Sequence, residues 1–382
     1  MENTVPAWFK QAAVYQINLR TFSAEGTIKA ATRELSKLGE LGFKIMYLCP
    51  IFEADTTDDR ETWSARQLKS ETGNPKNPYR MSNYFEIDEE YGTMDDLREF
   101  VQVAHGLGMR VMLDLVYFHV GPNARLLEQH PEFAVRDGEG NIVIGEWKFP
   151  TLNYECEGLR EYLYCNMVYY VAEIGVDGFR CDVGGMVPLD FWREGKRRIK
   201  AIKHDAVLLN EGFKPEYLSV FDANYGFSWP YTWSRCIYDV LHGDMTVKET
   251  QEKCPTHKCD GFLLFYMDNH DTVTDWPYRI EEHFGHECMD MILTMNYAIG
   301  GIPMVYSGNE IADTSKQSMF ANRFHRGIFG TTDRNASSDA VEKRKNLIKR
   351  LMESNQSLIQ IVSRLHRHNL CQEGRAFMSE RR

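Results

Sequence analysis

Eight short apolar runs, separated by longer stretches of helical period, constrain the fold of this chain more than any other feature. The runs start at Ala13, Lys44, Arg110, Val176, Ala206, Leu218, Phe262 and Ile302. Each is almost continuously apolar and rich in strand-forming residues, which predicts a strand buried on both faces. Helices are predicted over Ile28–Leu41, Met94–Leu107, Leu159–Ile174, Leu189–Ile202, Tyr231–Glu252, Glu287–Ile299 and Ala340–Met352.

Eight strand and helix units in alternation predict an α/β fold of the (β/α)₈ TIM-barrel type. The length of 382 residues suits one dominant barrel domain with insertions. A doubly wound open sheet is the alternative fold, but no GxGxxG opens any predicted helix. The fifth crossover, Pro215 to Leu218, is too short for an ordinary helix, so that unit is expected to be irregular.

Two long connections interrupt the alternation, Ala54–Asp88 after the second strand and Phe118–Glu157 after the third. In a barrel both would lie at the C-terminal rim, where active sites are built. We therefore divide the chain into a first barrel part (1–118), an insertion (119–157), a second barrel part (158–352) and a short tail (353–382). No run of alternating strands follows the barrel in that tail.

Charge and composition narrow the range of partners. The formal net charge is −11, and the basic run Lys343–Arg350 fits the solvated face of a helix, so nucleic acid is not expected as a partner. The N-terminal residues show no signal-peptide pattern and no run could span a membrane, which predicts a cytoplasmic protein without a membrane partner.

The cysteines predict neither disulfides nor a metal site. Nine cysteines are widely scattered, most of them in apolar surroundings, which favours a reducing compartment. The segment Cys254–Cys259 offers two thiols and an imidazole, but no second ligand pair follows at zinc spacing.

Polar and charged side chains collect where the predicted strands end. The relevant positions are Asp114 and His119, Arg180 and Asp182, Glu211, and Asp268, His270 and Asp271. Arg180 and Asp182 are two residues apart and so share one face of a strand. Each group alone could be a buried ion pair, a solvent-facing residue or a helix cap. Together, at successive strand ends of one barrel, they predict an active site on a single rim.

These motifs, "DLVYFH", "GFRCDV", "NEGF" and "DNHD" in that order, resemble the four main motifs of the α-amylase family, glycoside hydrolase family 13. The resemblance extends from "VYQINLRTFS" to "GIPMVYSGNE", nearly the whole chain. It implies a (β/α)₈ catalytic barrel and retaining cleavage of α-glucosidic bonds, mainly α-1,4, in starch-like glucans or malto-oligosaccharides. No cofactor is required for that chemistry.

The resemblance also implies roles for the charged residues. Asp182 is similar to the family's nucleophile, Glu211 to its general acid/base, and Asp271 to the third carboxylate, which binds sugar hydroxyls. Arg180 would keep Asp182 ionised, because a neighbouring guanidinium lowers the pKa of a carboxyl.

Three further residues are implied to bind the sugar at the cleaved bond. His119 and His270 resemble the family's donors to sugar hydroxyls. Tyr79, in "NPYRMSNY", resembles the aromatic platform under the same ring. A metal is not among the predicted site components.

The chain departs from the family pattern at several positions. Phe118 and Thr151 stand where many members have calcium-binding residues, which speaks against a structural calcium. Gly185 and Met186 replace residues that contact the leaving group, so those subsites should differ. Val183 is similar to members that accept α-1,6 bonds or both linkages, and linkage specificity stays open.

The C-terminal part also departs from the family, whose members usually carry a β-sandwich after the barrel. Residues 353–382 predict that this domain is absent or truncated, which would expose apolar surface and favour dimerisation or low stability. The oligomeric state stays open.

Three functions remain compatible with the sequence. The first is the hydrolase described above. The second is a transglycosidase or α-1,6-acting glucosidase on the same scaffold. The third is a carbohydrate-binding homologue without catalysis, which should lack one of Asp182, Glu211 and Asp271, whereas this chain has all three.

Overall fold

Eight parallel strands close into a barrel, as the alternation of strands and helices predicts. The computed structural model describes residues 5–228, 231–254, 262–322 and 337–354. The barrel strands are β1 (Val14–Ile17), β2 (Ile45–Leu48), β3 (Arg110–Leu115), β4 (Gly178–Cys181), β5 (Val207–Asn210), β6 (Ala223–Tyr225), β7 (Phe262–Phe265) and β8 (Ile302–Tyr306). Each pairs with its neighbours in chain order, and Val14 opposite Met304 joins β1 to β8. The predicted TIM barrel is therefore confirmed.

Long helices follow most of the strands. They are α1 (Ile28–Glu40), α2 (Met94–Gly106), α3 (Glu157–Tyr169), α4 (Leu189–Ile202), α5 (Trp233–His242), α6 (Val247–Lys253), α7 (His286–Ala298) and α8, which comprises 338–354. Polar caps start several of them: Thr27 accepts a hydrogen bond from the Ala30 amide, and Thr93 forms a capping box with Asp96.

The single helix predicted over Tyr231–Glu252 is wrong, because two helices occupy that stretch. Gly243 ends α5 in the left-handed conformation, with φ +78°, and Thr246 caps α6 through the Glu249 amide. A helical period on both sides of a break cannot reveal the break.

The remaining elements are short. The additional helices are Ala7–Lys10, Leu19–Phe22, Ala65–Lys69, Arg125–Gln129, Thr272–Asp275 and Ile280–Phe284, and a π-helical turn, Tyr170–Ile174, extends α3. The 3₁₀ turns are Arg60–Thr62, Pro131–Phe133, Gly184–Met186, Pro215–Ser219 and Asn309–Ile311. Two strand pairs lie outside the barrel, Phe52–Ala54 with Met81–Ile87 and Phe227–Ser228 with Tyr231–Thr232.

The fifth crossover is irregular, as its length predicts. A 3₁₀ turn over Pro215–Ser219 replaces a helix between β5 and β6, and the strand itself begins at Ala223, later than predicted. The tail 355–382 and most of the Cys254–Cys259 segment lie outside the described residues. The predictions of a short tail and of a missing β-sandwich therefore stay predictions.

Alternate residues of the strands pack into two apolar clusters. One contains Val14, Ile45 and Met304 but no residue of α1 to α8, so it fills the barrel interior. The other joins the opposite strand faces, such as Tyr15 and Met46, to the helices. Side chains at even positions of β3 and β4, including Asp114 and Arg180, share the inner face of their strands.

A buried ionic cluster surrounds Asp177 at the N-terminal end of the barrel, opposite the rim formed by the C-terminal ends of the strands. The Asp177 carboxylate lies 2.8 Å from both His105 Nε2 and Arg110 Nη1, and 3.0 Å from Lys203 Nζ. It also accepts a hydrogen bond from the Val111 amide. Burial alone raises the pKa of Asp177, but these partners outweigh it and lower the pKa from 3.8 to about 2.

This cluster predicts an acid-sensitive contribution to stability. The folded-state pKa lies below the unfolded one, so the contribution is fully present above about pH 4 and is lost as the pH falls through 2. We expect Asp177→Asn to lower the free energy of unfolding by about 2 kcal/mol at pH 7, and by progressively less towards pH 2. Urea unfolding of both proteins at several pH values measures the difference. Asp95→Asn, which changes an exposed ion pair with Arg98, is the matched control and should have little effect at any pH.

Among the described residues, no helix combines the length and the apolar character needed to cross a lipid bilayer.

Candidate active site

One buried arginine organises the C-terminal rim of the barrel. The Arg180 side chain has no exposed surface, and its Nη1 donates hydrogen bonds to Asp114 Oδ1 (2.7 Å) and Asp182 Oδ1 (2.8 Å). Its Nη2 forms an ion pair with Glu211 Oε2 at 2.7 Å, but the angle at the hydrogen does not suit a hydrogen bond. Three strands thus bring three carboxylates to one guanidinium.

Gly178 allows β4 to lie close enough to β5 for this arrangement. A Cβ atom at Gly178 would lie 2.4 Å from the Val207 carbonyl oxygen, which no side chain could tolerate. The close pairing places Arg180 opposite Leu209 and brings Glu211, just beyond β5, to the same rim. The Glu211 amide continues the ladder by donating to the Cys181 carbonyl.

Asp114 belongs to the centre of the site, although only its motif and not its role is evident from sequence. Its Oδ2 accepts hydrogen bonds from Tyr47 (2.5 Å) and Tyr79 (3.1 Å) while its Oδ1 binds Arg180. All of these contacts are with other side chains of the protein, so Asp114 fixes the positions of Arg180 and Tyr79.

Asp182 and Glu211 are neighbouring carboxyls whose pKa values both lie above their ordinary values. Burial is the main cause for each, and Arg180 acts against it at both carboxyls. As expected, Arg180 by itself lowers the pKa of Asp182 and so favours its ionised form. Burial and the nearby charges of Glu211 and Asp114 outweigh it, so the net pKa of Asp182 is raised. The rim therefore retains a proton that can be donated.

Val183 lies between these two carboxylates in a strained conformation. Its φ of +36° belongs to the left-handed region, which a β-branched residue rarely adopts. In this position the Val183 amide donates a 2.9 Å hydrogen bond to Glu211 Oε2. The turn that follows the nucleophile candidate thus orients the acid/base candidate.

Asp271 lies across the cavity and is held by a different cation. Arg66 Nη2 donates to Asp271 Oδ1 at 2.8 Å, and His270 Nε2 lies 3.3 Å from Asp271 Oδ2. Burial raises the pKa of Asp271, but His270, Arg66 and Arg180 together lower it well below its ordinary value. Of the three candidates, Asp271 is thus the one whose pKa is lowered.

The predicted sugar-binding residues converge on the same cavity. Tyr79 stacks on His270 with ring centroids 5.3 Å apart, and its hydroxyl lies 2.6 Å from His270 Nε2. Burial lowers the pKa of His119 to about 3 and, against the effect of Asp271, that of His270 to about 4. Both rings are therefore neutral near pH 7 and can each donate one hydrogen bond and accept another.

His119 has a buried nitrogen with no protein partner among the described residues. Its Nδ1 carries no hydrogen bond, and its Nε2 lies 3.8 Å from Asp182 Oδ2. The ring packs against Trp147 and Phe149 of the insertion, at 5.5 and 4.8 Å. A polar ring held in this way next to the cavity suits a ligand hydroxyl.

The cavity has a volume of about 870 Å³ and is lined by all seven predicted site residues except Arg180, which lies beneath it. It is also lined by Arg66, Trp147, Tyr266 and Trp276, which the sequence did not single out. Arg66 and Trp147 belong to the two long connections, where nothing in the local sequence distinguishes them from other charged or aromatic residues. Only the fold brings them to the rim.

Phe118 and Thr151 occupy the positions at which many members of the family bind calcium. Calcium needs several oxygen ligands. Phe118 instead packs its ring edge-on against Trp147, and Thr151 bridges His119 through the backbone. Within the described residues, no three His, Cys, Asp or Glu side chains are grouped as metal ligands.

The chain matches known proteins over nearly its full length. The model of the alpha amylase catalytic domain matches residues 5–137 and 142–358. A cyclomaltodextrinase of a Bacillus species is 24% identical over 356 residues, which cover 80% of this chain and 60% of that protein. Neopullulanase 2 of Thermoactinomyces vulgaris is 23% identical over 431 residues, which cover 95% of this chain and 64% of that protein. This chain thus spans less than two thirds of the length of either relative.

Solved structures agree with the sequence matches. An alpha-amylase from Lactobacillus plantarum superposes with a TM-score of 0.75 at 25% identity, covering 92% of this chain and 81% of that one. The barrel, the ordered motifs at its rim and these matches lead to one conclusion. The chain belongs to the α-amylase family.

Proposed function

We propose that this protein is a retaining glycoside hydrolase that cleaves α-glucosidic bonds, mainly α-1,4, in malto-oligosaccharides or starch-like glucans. The observation that carries the proposal is the pair of carboxylates on Arg180. Asp182 and Glu211 contact the same guanidinium, while Asp271 lies across the same cavity. Two carboxyl groups that flank one bond are the requirement of glycoside hydrolysis.

In the first step, Asp182 attacks the anomeric carbon of the bound glucosyl unit as the bond to the leaving oxygen breaks. Glu211 donates its proton to that oxygen, so the shortened sugar leaves as a neutral alcohol. The burial that raises the pKa of Glu211 favours the protonated form that this step needs. Asp271 stabilises the positive charge that develops on the glucosyl ring in the transition state, while Arg180 holds Asp182 and Glu211 in place.

In the second step, water enters the space left by the leaving group. Glu211, now ionised, takes a proton from that water, whose oxygen attacks the anomeric carbon and releases Asp182. The configuration is inverted twice and therefore retained. His119, His270 and Tyr79 hold the sugar during both steps, since all three line the cavity beside Asp182.

A transglycosidase is the second candidate, because it differs only in the acceptor that reaches the glycosyl-enzyme. An α-1,6 specificity is also compatible with Val183 beside the nucleophile. A non-catalytic homologue fits less well, since the three carboxylates are present and the pKa of Glu211 is raised, as a proton donor requires.

Product analysis tests the proposal directly. The purified protein is incubated with starch, maltotriose, isomaltose, pullulan and sucrose, and the products are separated by chromatography. We expect shorter sugars from maltotriose, with the α-anomer formed first in NMR spectra. Products longer than maltotriose would favour transglycosylation, and no turnover of any α-glucoside would contradict the proposal.

We also propose that catalysis needs no calcium at the family's position. The support is the packing of Phe118 on Trp147 where oxygen ligands would be needed. Dialysis against EDTA should leave both the melting temperature and the rate of maltotriose hydrolysis unchanged, measured by calorimetry and glucose release. Recovery of a lost activity by added calcium would contradict this expectation.

The proposed partner is an α-glucan or oligosaccharide, which follows from the proposed hydrolysis. Nucleic acid and membranes are not proposed as partners, and the cytoplasm is the proposed location. The balance of 44 basic against 55 acidic residues supports the exclusion of nucleic acid.

A further inference from the structure

Arg66 bridges two carboxylates at the edge of the cavity. It lies on the short helix Ala65–Lys69 of the connection after β2, and its side chain is 36% exposed. Its Nη2 donates to Asp271 and its Nε donates to Asp275 Oδ1, at 2.8 and 2.9 Å. All three residues line the cavity.

The backbone that carries Arg66 is firmly attached. Ser64 caps the helix by accepting a hydrogen bond from the Gln67 amide. The buried Gln67 side chain donates to the carbonyl oxygens of Asn74 and Pro75. Asn74 in turn donates to the Phe320 carbonyl in the segment after β8. Together these contacts form a wall at the edge of the cavity that joins the segments after β2, β7 and β8. We define it by Arg66, Asn74, Asp271, Asp275 and Phe320.

The position of this wall relative to Glu211 identifies the end of the substrate that it faces. Glu211 follows β5, which lies opposite β1 in the closed strand order. The wall joins the segments after β7, β8 and β2, so it covers the β1 side of the rim. Because the acid must touch the leaving oxygen, the leaving group lies on the β5 side. The glucosyl unit bound by Asp182 therefore points its far end towards Arg66.

We propose that Arg66, clamped between Asp271 and Asp275, closes the glycone end of the cavity after one glucosyl unit, so that the protein removes single glucose units from non-reducing ends. This inference rests on the proposed function and specifies its substrate. An arginine has five N–H donors in a rigid fork. Two are used in the ion pairs, and the others can donate to the free hydroxyls of a terminal glucose.

A substrate with a blocked non-reducing end provides the test. The wild-type protein is given maltoheptaose and, separately, maltoheptaose whose terminal glucose carries a 4,6-ethylidene group. We expect glucose as the first product from the free sugar and a rate at least about 100-fold lower for the blocked one, because a site built around free hydroxyls rejects an analogue that lacks them.

Variants show whether Arg66 is the cause. Arg66→Ala should open the glycone end and reduce the preference for the free sugar at least about tenfold. Arg66→Lys, which keeps the charge but not the fork, should give an intermediate preference. Arg60→Ala is the matched control, since Arg60 is an exposed arginine of the same connection that packs on Trp63 and should leave the preference unchanged.

Each outcome separates this inference from the proposed function. If the wild-type protein cleaves the blocked sugar as fast as the free one, the inference is overturned and the proposed hydrolysis stands. If Arg66→Ala and Arg66→Lys lower both rates equally, Arg66 only positions Asp271, and the inference is again overturned. If the wild-type protein cleaves no α-glucoside, both fail.

Discussion

Replacing Glu211 by glutamine is expected to lower kcat for maltotriose by about 10²–10⁴-fold, the usual contribution of a general acid/base. Glutamine keeps the shape of the side chain, and its amide oxygen can still accept the hydrogen bond from the Val183 amide. It has no acidic proton to give to the leaving oxygen. The fold should be unaffected, and sugar binding measured by calorimetry should survive. Glucose release measured over time quantifies the loss.

The choice of substrate makes this result specific for proton donation. An α-glucosyl fluoride has a leaving group that departs without protonation, so its first step should be affected far less by Glu211→Gln than that of maltotriose. Glu216→Gln, an exposed carboxyl in the 3₁₀ turn after β5, is the matched control and should change neither rate. Equal losses for both substrates would contradict the assignment of Glu211 as the acid.

Replacing Arg180 by methionine is expected to destabilise the protein by about 3–5 kcal/mol and to abolish turnover. The guanidinium is the shared partner of Asp114, Asp182 and Glu211, and its removal leaves buried carboxylates without a cation. Urea unfolding measures the loss in the free energy of unfolding. The deficit should shrink at low pH, because protonated carboxyls no longer need the cation.

A second substitution separates this charge effect from a simple packing defect. Adding Asp114→Asn to Arg180→Met removes one of the unpaired charges and should restore part of the stability, although not the activity. Arg198→Met, which removes a surface arginine paired with Glu161 and Glu194, is the control and should cost at most about 1 kcal/mol. A double variant no more stable than Arg180→Met alone would argue against the shared-cation arrangement.

The barrel was predictable because its signal is local and repeated. Each strand buried on both faces reads as a nearly continuous apolar run, and Arg180 and Asp182 are conspicuous within such a run. The position of Glu211 and Asp271 on the same rim follows from the closure of parallel strands alone. These predictions depend on the spacing of residues along the chain and need no knowledge of side-chain packing.

What the sequence did not reveal depends on contacts between distant segments. Arg66 reaches Asp271 across 205 positions of the chain, and no local pattern announces such a pair. The break at Gly243 is hidden because the helical period resumes after it. The net rise in the pKa of Asp182 was not evident from the sequence, because burial, which the sequence does not measure, outweighs the adjacent guanidinium.

We propose that Asp182 forms a covalent bond with the glycosyl unit during catalysis. Incubating the protein with 5-fluoro-α-glucosyl fluoride, followed by proteolysis and mass spectrometry, tests it most directly, since the ring fluorine slows release of the intermediate. We expect one glycosyl adduct per chain, located on Asp182 and absent from the Asp182→Asn variant. An adduct on another residue, or turnover of this reagent with no covalent adduct, would contradict it.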